Sequence, residues 1–273
     1  MCGIRRIVGV GCAGSVVGMA RPLFDGVGVA LLSLFAEDGA LELTATAEHA
    51  ARLVELGMNA VVVAGSTGEA AALEPEERGA LLVAVRDTLP RRVPVIAGTG
   101  AASARQAMRL TEQAIDHGAD AVLALSPHGV ADPRPYYSAI AGVAGDVPVI
   151  AYHFPAMASP GIPVSMLGEL PIVACKDTSS DAERLLHTLS SVELPIYVGA
   201  SGILSFAGPL GCAGAILALA NAEPEGCIAA FAGDAKAQLR IAEAHRQALV
   251  DFPAGLKGLT AKRFGTPTTA RIG

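Results

Sequence analysis

The chain has 273 residues, 52% of them hydrophobic and only 4% aromatic, with no tryptophan and a formal net charge of −6. That charge, with no basic stripe interleaved with aromatics, excludes a nucleic-acid-binding role, and glycines interrupt every apolar run short of the roughly 20 residues a membrane span needs. Five scattered cysteines (Cys2, Cys12, Cys175, Cys212, Cys227), none in Cys-x-x-Cys spacing, read as reduced thiols of a cytoplasmic protein.

At the N-terminus, Arg5 and Arg6 precede a weakly apolar stretch, residues 7–20, with the outline of an export signal. It is rich in glycine and poor in leucine, so residues 1–21 read as an unstructured leader. Beyond it, aliphatic runs of strand length recur at 27–34, 60–64, 93–97, 121–125, 148–152, 172–175, 195–198 and 214–218. Eight runs rich in Val, Leu, Ile and Ala suit parallel strands buried on both faces. Helical patterns lie between them. Glu74-Pro75-Glu76-Glu77 puts proline at a first helical position with acids in the first turn. Ser103 and Gln106 have capping-box spacing. Gly57 and Gly118 stand where helices should end. After the eighth strand come helical patterns around 226–231, 234–249 and 256–263. Alternating β/α units with this period predict one (β/α)8 barrel over residues 22–273, including a C-terminal helical extension from about residue 224. No G-x-G-x-x-G follows the first strand, which argues against dinucleotide binding.

In such a barrel the reacting groups project from the C-terminal ends of the strands. Three of these ends are chemically rich: Gly65-Ser66-Thr67-Gly68-Glu69, Tyr152-His153-Phe154-Pro155 and Cys175-Lys176-Asp177-Thr178. Of the 20 cationic Lys and Arg residues only Lys176, Lys236, Lys257 and Lys262 are lysine, and Lys176 alone lies outside the C-terminal extension. A lysine at a buried strand end loses hydration, and its pKa falls toward that of a neutral nucleophile able to attack a ketone. Tyr152 offers a phenol to carry protons. Ser66 and Thr67, between Gly65 and Gly68, offer hydroxyls and backbone N–H groups to a carboxylate. Each feature alone admits a plainer reading: Lys176 as the partner of an acid, Tyr152 as a barrel tyrosine, the Ser-Thr pair as a helix cap. Together they agree on one chemistry. The six histidines show no metal-ligand spacing.

From about Pro22 onward the chain resembles the dihydrodipicolinate synthase / N-acetylneuraminate lyase superfamily of class I aldolases. The resemblance rests on Gly65 to Glu69, Leu73 to Arg78, Pro94 to Gly98, Gly118 to Val122, Tyr152-x-x-Pro155, Lys176-Asp177 and Gly211 to Asn221. It implies a (β/α)8 barrel, a homotetramer or homodimer, no metal or organic cofactor, and an imine between Lys176 and pyruvate or a related 2-oxo acid. It further implies Tyr152 as proton shuttle, Ser66 and Thr67 as proton relay and carboxylate holders, and Ile216 as the floor of the site. The departures bear on the substrate. Many members carry Pro-Tyr-Tyr after strand four; here the residues are Ser126-Pro127-His128-Gly129, and His128 becomes a candidate proton carrier. Tyr136 and Tyr137 lie too far on and fall at the start of the next helix. The synthases place an arginine two residues beyond the Tyr-x-x-Pro proline, where this chain has Met157. With Ser201 after strand seven, His128 and Met157 are the candidate residues for choosing the second half of the substrate. His153, where members often carry Asn, is assigned no chemistry, and Glu69 is read as an anchor for its turn.

Three functions remain open. The first is an aldolase cleaving a 2-keto-3-deoxy sugar acid or a 4-hydroxy-2-oxo acid. The second is a dihydrodipicolinate synthase or dehydratase using the same imine. The third is a barrel that has lost efficient catalysis and binds a 2-oxo acid.

Overall fold

The computed structural model describes residues 21–272. The leader assigned to residues 1–21 lies outside the described residues except for Arg21, as do Cys2 and Cys12. Eight parallel strands close into a barrel in sequence order: β1 (Gly26–Ala30), β2 (Ala60–Val63), β3 (Val95–Gly98), β4 (Ala121–Leu125), β5 (Val149–His153), β6 (Ala174–Asp177), β7 (Ile196–Val198) and β8 (Gly214–Leu217), with β8 returning to pair with β1. The helices between them are α1 (Leu43–Glu55), α2 (Pro75–Thr88), α3 (Ala104–Asp116), α4 (Arg134–Ala144), α5 (Val164–Leu167), α6 (Ala182–Ser191) and α7 (Leu204–Ala207). This is the (β/α)8 barrel expected from the eight aliphatic runs.

Alternation along the strands makes two cores, because successive side chains point to opposite faces. Val62, Ile96, Leu123, Ile150, Tyr152, Ala174, Tyr197 and Ile216 fill the barrel interior. Their neighbours Val61, Val63, Ala151, Cys175, Val198 and Leu217 pack outward under the helices. Phe24, just ahead of β1, stacks on Tyr197 with ring centroids 4.5 Å apart. The Tyr197 hydroxyl donates to Phe24 O (2.9 Å) and accepts from Phe24 N (3.1 Å), which plugs the end of the barrel away from the rich loops.

The helix signals act much as the sequence implies. Pro75 opens α2, and Glu77 Oε2 accepts the N–H of Glu74 at 3.0 Å. Ser103 Oγ accepts from Gln106 N at 3.3 Å and donates to Gln106 Oε1 at 2.9 Å, so the amide oxygen takes the hydroxyl rather than the Ser103 N–H. Gly118 (φ +84°) terminates α3 in the left-handed region, as expected of a C-cap glycine.

Two expectations are corrected. The first strand is shorter than residues 27–34, because Leu32 N and Leu34 N leave the ladder for Asn221 Oδ1 and Thr46 Oγ1, both at 3.1 Å. Apolar residues there are buried in a loop rather than in a strand. The C-terminal extension holds four helices, α8 (Pro224–Phe231), α9 (Ala235–Arg240), α10 (Ala242–Leu249) and α11 (Ala254–Phe264); the pattern at 234–249 breaks at Ile241 into α9 and α10. Among the described residues no helix is long and apolar enough to cross a membrane.

Candidate active site

β6 extends through Asp177, two residues beyond the expected run, so Lys176 lies inside the strand. It shares the parity of Ala174, which fills the barrel interior. Lys176 is 5% exposed, and burial pushes its pKa down to about 7. The adjacent strand β5 puts Tyr152 in register with it. Lys176 Nζ lies over the Tyr152 ring, 4.2 Å from the centroid. Burial raises the Tyr152 phenol to about 12, and the hydroxyls of Thr178 and Ser66 beside it pull the other way. A buried amine with a pKa near neutrality, next to a phenol with hydroxyl neighbours, can add to a carbonyl and pass protons through the phenol.

A cavity of about 910 Å³ opens beside this pair, with Gly65, Ser66, Tyr152 and Met157 in its wall. Lys176 is not part of the wall; it meets the cavity through Tyr152. Thr67 is buried in the same turn as Ser66. The carbonyl of Gly68 accepts from Ser33 Oγ at 2.7 Å, which ties that turn to the loop after β1. Ile216 is fully buried in the interior cluster that contains Tyr152 and does not line the cavity. Met157 is 48% exposed at the cavity lip. His128 is exposed and does not line the cavity. Ser201 is buried outside the wall, its carbonyl accepting from Gln238 Nε2 at 2.8 Å.

Several contacts around the pair escape sequence reasoning, and so does Gly199. Thr178 Oγ1 is buried beside the Tyr152 phenol. Gly199, after β7, lies so close that a Cβ there would overlap Thr178 Oγ1 and come within 2.9 Å of Lys176 Cε. Asp177 holds the end of β6 by an ion pair to Arg184 Nε (2.8 Å) and by accepting Ser179 N (2.8 Å). Arg184 also donates to Ile162 O at 2.8 Å, and Ile162 N donates to His153 Nδ1 at 2.8 Å. His153 is therefore a brace behind the Lys176–Tyr152 pair. Tyr136 and Tyr137 are on α4, where their hydroxyls bond backbone of Ala101 and Ala124. No group of three or more His, Cys, Asp or Glu able to hold a metal occurs among the described residues.

A sequence profile of the dihydrodipicolinate synthetase family matches residues 23–262. The chain belongs to that family. It is 32% identical over 251 residues to an uncharacterised DapA-like lyase of Halobacterium salinarum, covering 88% of this chain and 82% of that one. It is 33% identical over 216 residues to a 4-hydroxy-tetrahydrodipicolinate synthase of Methanosphaerula palustris, covering 74% of each. A prophage protein of E. coli of the dihydrodipicolinic acid synthase family, solved in complex with pyruvate, superposes with a TM-score of 0.83 at 25% identity, over 91% of this chain and 92% of that one. Members of the dihydrodipicolinate synthetase family are aldolase-type lyases that act via pyruvate, and this chain is a lyase of that type.

Proposed function

We propose that the chain is a class I aldolase that forms an imine through Lys176 and cleaves a 2-keto-3-deoxy sugar acid or a 4-hydroxy-2-oxo acid to pyruvate and an aldehyde. The observation that carries this is the buried Lys176 ammonium, brought to about pH 7, over the Tyr152 ring. Neutral Lys176 adds to C2 of the substrate, and Tyr152 gives its phenolic proton to the departing carbinolamine hydroxyl, so that water leaves and the iminium stands beside a phenolate. Tyr152 takes the proton of the 4-hydroxyl, the C3–C4 bond breaks, and its electron pair moves into the iminium to give the enamine. The aldehyde departs. Protonation at C3 and hydrolysis then release pyruvate and regenerate the amine. Ser66 and Thr67 hold the carboxylate and relay protons to the phenol. No organic cofactor or metal is needed, because the iminium is the electron sink.

Met157 favours the aldolases over the synthases, since an apolar side chain at the lip gives a second carboxylate no partner. The competing reading is dihydrodipicolinate synthase, favoured by the name of the Methanosphaerula palustris relative. A coupled assay for pyruvate release separates the two. Cleavage of a 2-keto-3-deoxy sugar acid at ordinary enzyme rates, on the order of 1 per second or more, lost in Lys176→Ala, supports the aldolase. Turnover only when pyruvate and aspartate semialdehyde are supplied together overturns it in favour of the synthase. No turnover with any of these would leave a 2-oxo-acid-binding barrel.

A further inference from the structure

One part of the cavity wall comes from far along the chain. Glu69 closes the Ser66-Thr67 turn with a left-handed backbone (φ +54°), and its carboxylate is fully buried. Its Oε1 meets Lys257 Nζ of α11 at 2.5 Å, with both side chains 0% exposed. Its Oε2 accepts the backbone N–H groups of Arg271 and Ile272, each at 2.7 Å. Lys257 also donates to Thr269 O at 2.5 Å. Arg271 grips Glu77 of α2 through two bonds of 2.6 Å and reaches Gly39 O and Ala72 O at 2.8 and 3.0 Å. A buried charge is tolerated when it is paired and its remaining valences are hydrogen-bonded, and a paired, bonded group of this kind holds its partners in one arrangement. Residues 269–272 are thereby fixed to the turn that carries Ser66 and Thr67.

Ile272 consequently stands in the cavity wall, as Met157 does. Of the large exposed apolar side chains these are the two that line the cavity, at 44% and 48% exposure. Two arginines also line it. Arg78 is committed to the carbonyls of Ala70 and Gly98, and Arg109 is solvent-exposed on α3.

We propose that Ile272 is a specificity-determining residue, forming with Met157 an apolar lip that receives the aldehyde half and selects against one bearing a carboxylate. A carboxylate seated against Ile272 and Met157 would lose water without gaining a partner from either side chain. The favoured substrate class is then a 2-keto-3-deoxy sugar acid, which releases an uncharged hydroxyaldehyde, over a 4-hydroxy-2-oxo diacid. This rests on the reading of the Lys176 site as an imine-forming aldolase. Glu69 grips the backbone N–H of Ile272, so side-chain substitutions leave the anchor in place.

The test compares wild type, Ile272→Ala and Ile272→Arg in two stages. Borohydride trapping of pyruvate, which has no aldehyde half, is scored first. Steady-state cleavage of a 2-keto-3-deoxy sugar acid and of a 4-hydroxy-2-oxo diacid is then measured. With trapping intact in all three proteins, Ile272→Ala is expected to raise KM for the sugar acid about tenfold with kcat little changed, and Ile272→Arg to shift the kcat/KM ratio toward the diacid by roughly 10-fold or more. Unchanged ratios in both variants overturn the proposal, as does a parallel loss of trapping and cleavage, which marks a purely structural role. A wild-type protein that traps no pyruvate overturns the imine reading itself, and the first stage alone reveals it.

Discussion

Lys176 and Tyr152 stand in register on adjacent parallel strands, with the lysine ammonium 4.2 Å from the centre of the phenol ring. Both are almost fully buried, and burial displaces their pKa values in opposite directions, to about 7 for the lysine and about 12 for the tyrosine. At neutral pH a large share of the amine is free to attack, while the phenol keeps its proton until a neighbour takes it.

The lysine should diminish the stability of the fold. Its ordinary pKa of 10.5 falls to about 7 on folding, so the penalty is full below pH 7 and vanishes above pH 10.5. Lys176→Met is therefore expected to gain on the order of a few kcal/mol at pH 7 and below, while losing all imine formation. Urea denaturation at pH 6 and pH 10 checks this: the gain should be larger at pH 6.

Tyr152→Phe removes the proton carrier and leaves the stacked ring. Imine formation with pyruvate should persist, slowed, while the cleavage kcat falls by roughly 10²- to 10⁴-fold, the usual contribution of a general acid–base. Single-turnover rates for the two steps read the difference directly. Equal losses in both would instead assign Tyr152 to forming the carbinolamine.

Gly199 is predicted to be intolerant of any side chain. The added methyl of Gly199→Ala overlaps Thr178 Oγ1 and crowds Lys176 Cε. A fall in kcat/KM of about 10²-fold or more is expected, since displacements near 1 Å at a reacting group have that effect. Circular dichroism should show the barrel intact.

Acid should loosen the fold through its buried histidines. His49 is pushed down to about 4 by burial and then by the nearby charge of Arg52. His153 is lowered to about 4 by burial and then by Arg184, and its Nδ1 is occupied by the N–H of Ile162. Both are neutral in the fold and protonate in the unfolded chain below about pH 6.5. Their contribution is present above that pH and is lost as pH falls toward 4, by roughly 3 kcal/mol for His49. His153→Asn, whose amide oxygen can accept the same N–H, should flatten the fall in the denaturation midpoint between pH 6.5 and 4.5.

The barrel was legible because each strand is buried on both faces and reads as an aliphatic run, and because Pro75, Ser103, Gly57 and Gly118 mark helix ends. The run at 27–34 misled for the same reason: Leu31 to Leu34 are buried in a loop, and burial alone does not distinguish loop from strand. Lys176 could be found from its rarity, and the parity of β6 explains its inward aim. Lys257 carries the same signal, a lysine buried within α11, although its place in the C-terminal extension hides it. Gly199 and Ile272 were invisible in one dimension, because each matters only through neighbours distant in sequence. A glycine after a strand is common, and only the position of Thr178 and Lys176 Cε makes this one obligatory.

Covalent imine formation between Lys176 and a 2-oxo acid is tested most directly by borohydride reduction of the protein with pyruvate, followed by peptide mass mapping. A single reduced pyruvyl adduct is expected on the peptide containing Lys176, absent from Lys176→Met. No adduct in a folded protein, or one on Lys236, Lys257 or Lys262 instead, would contradict it.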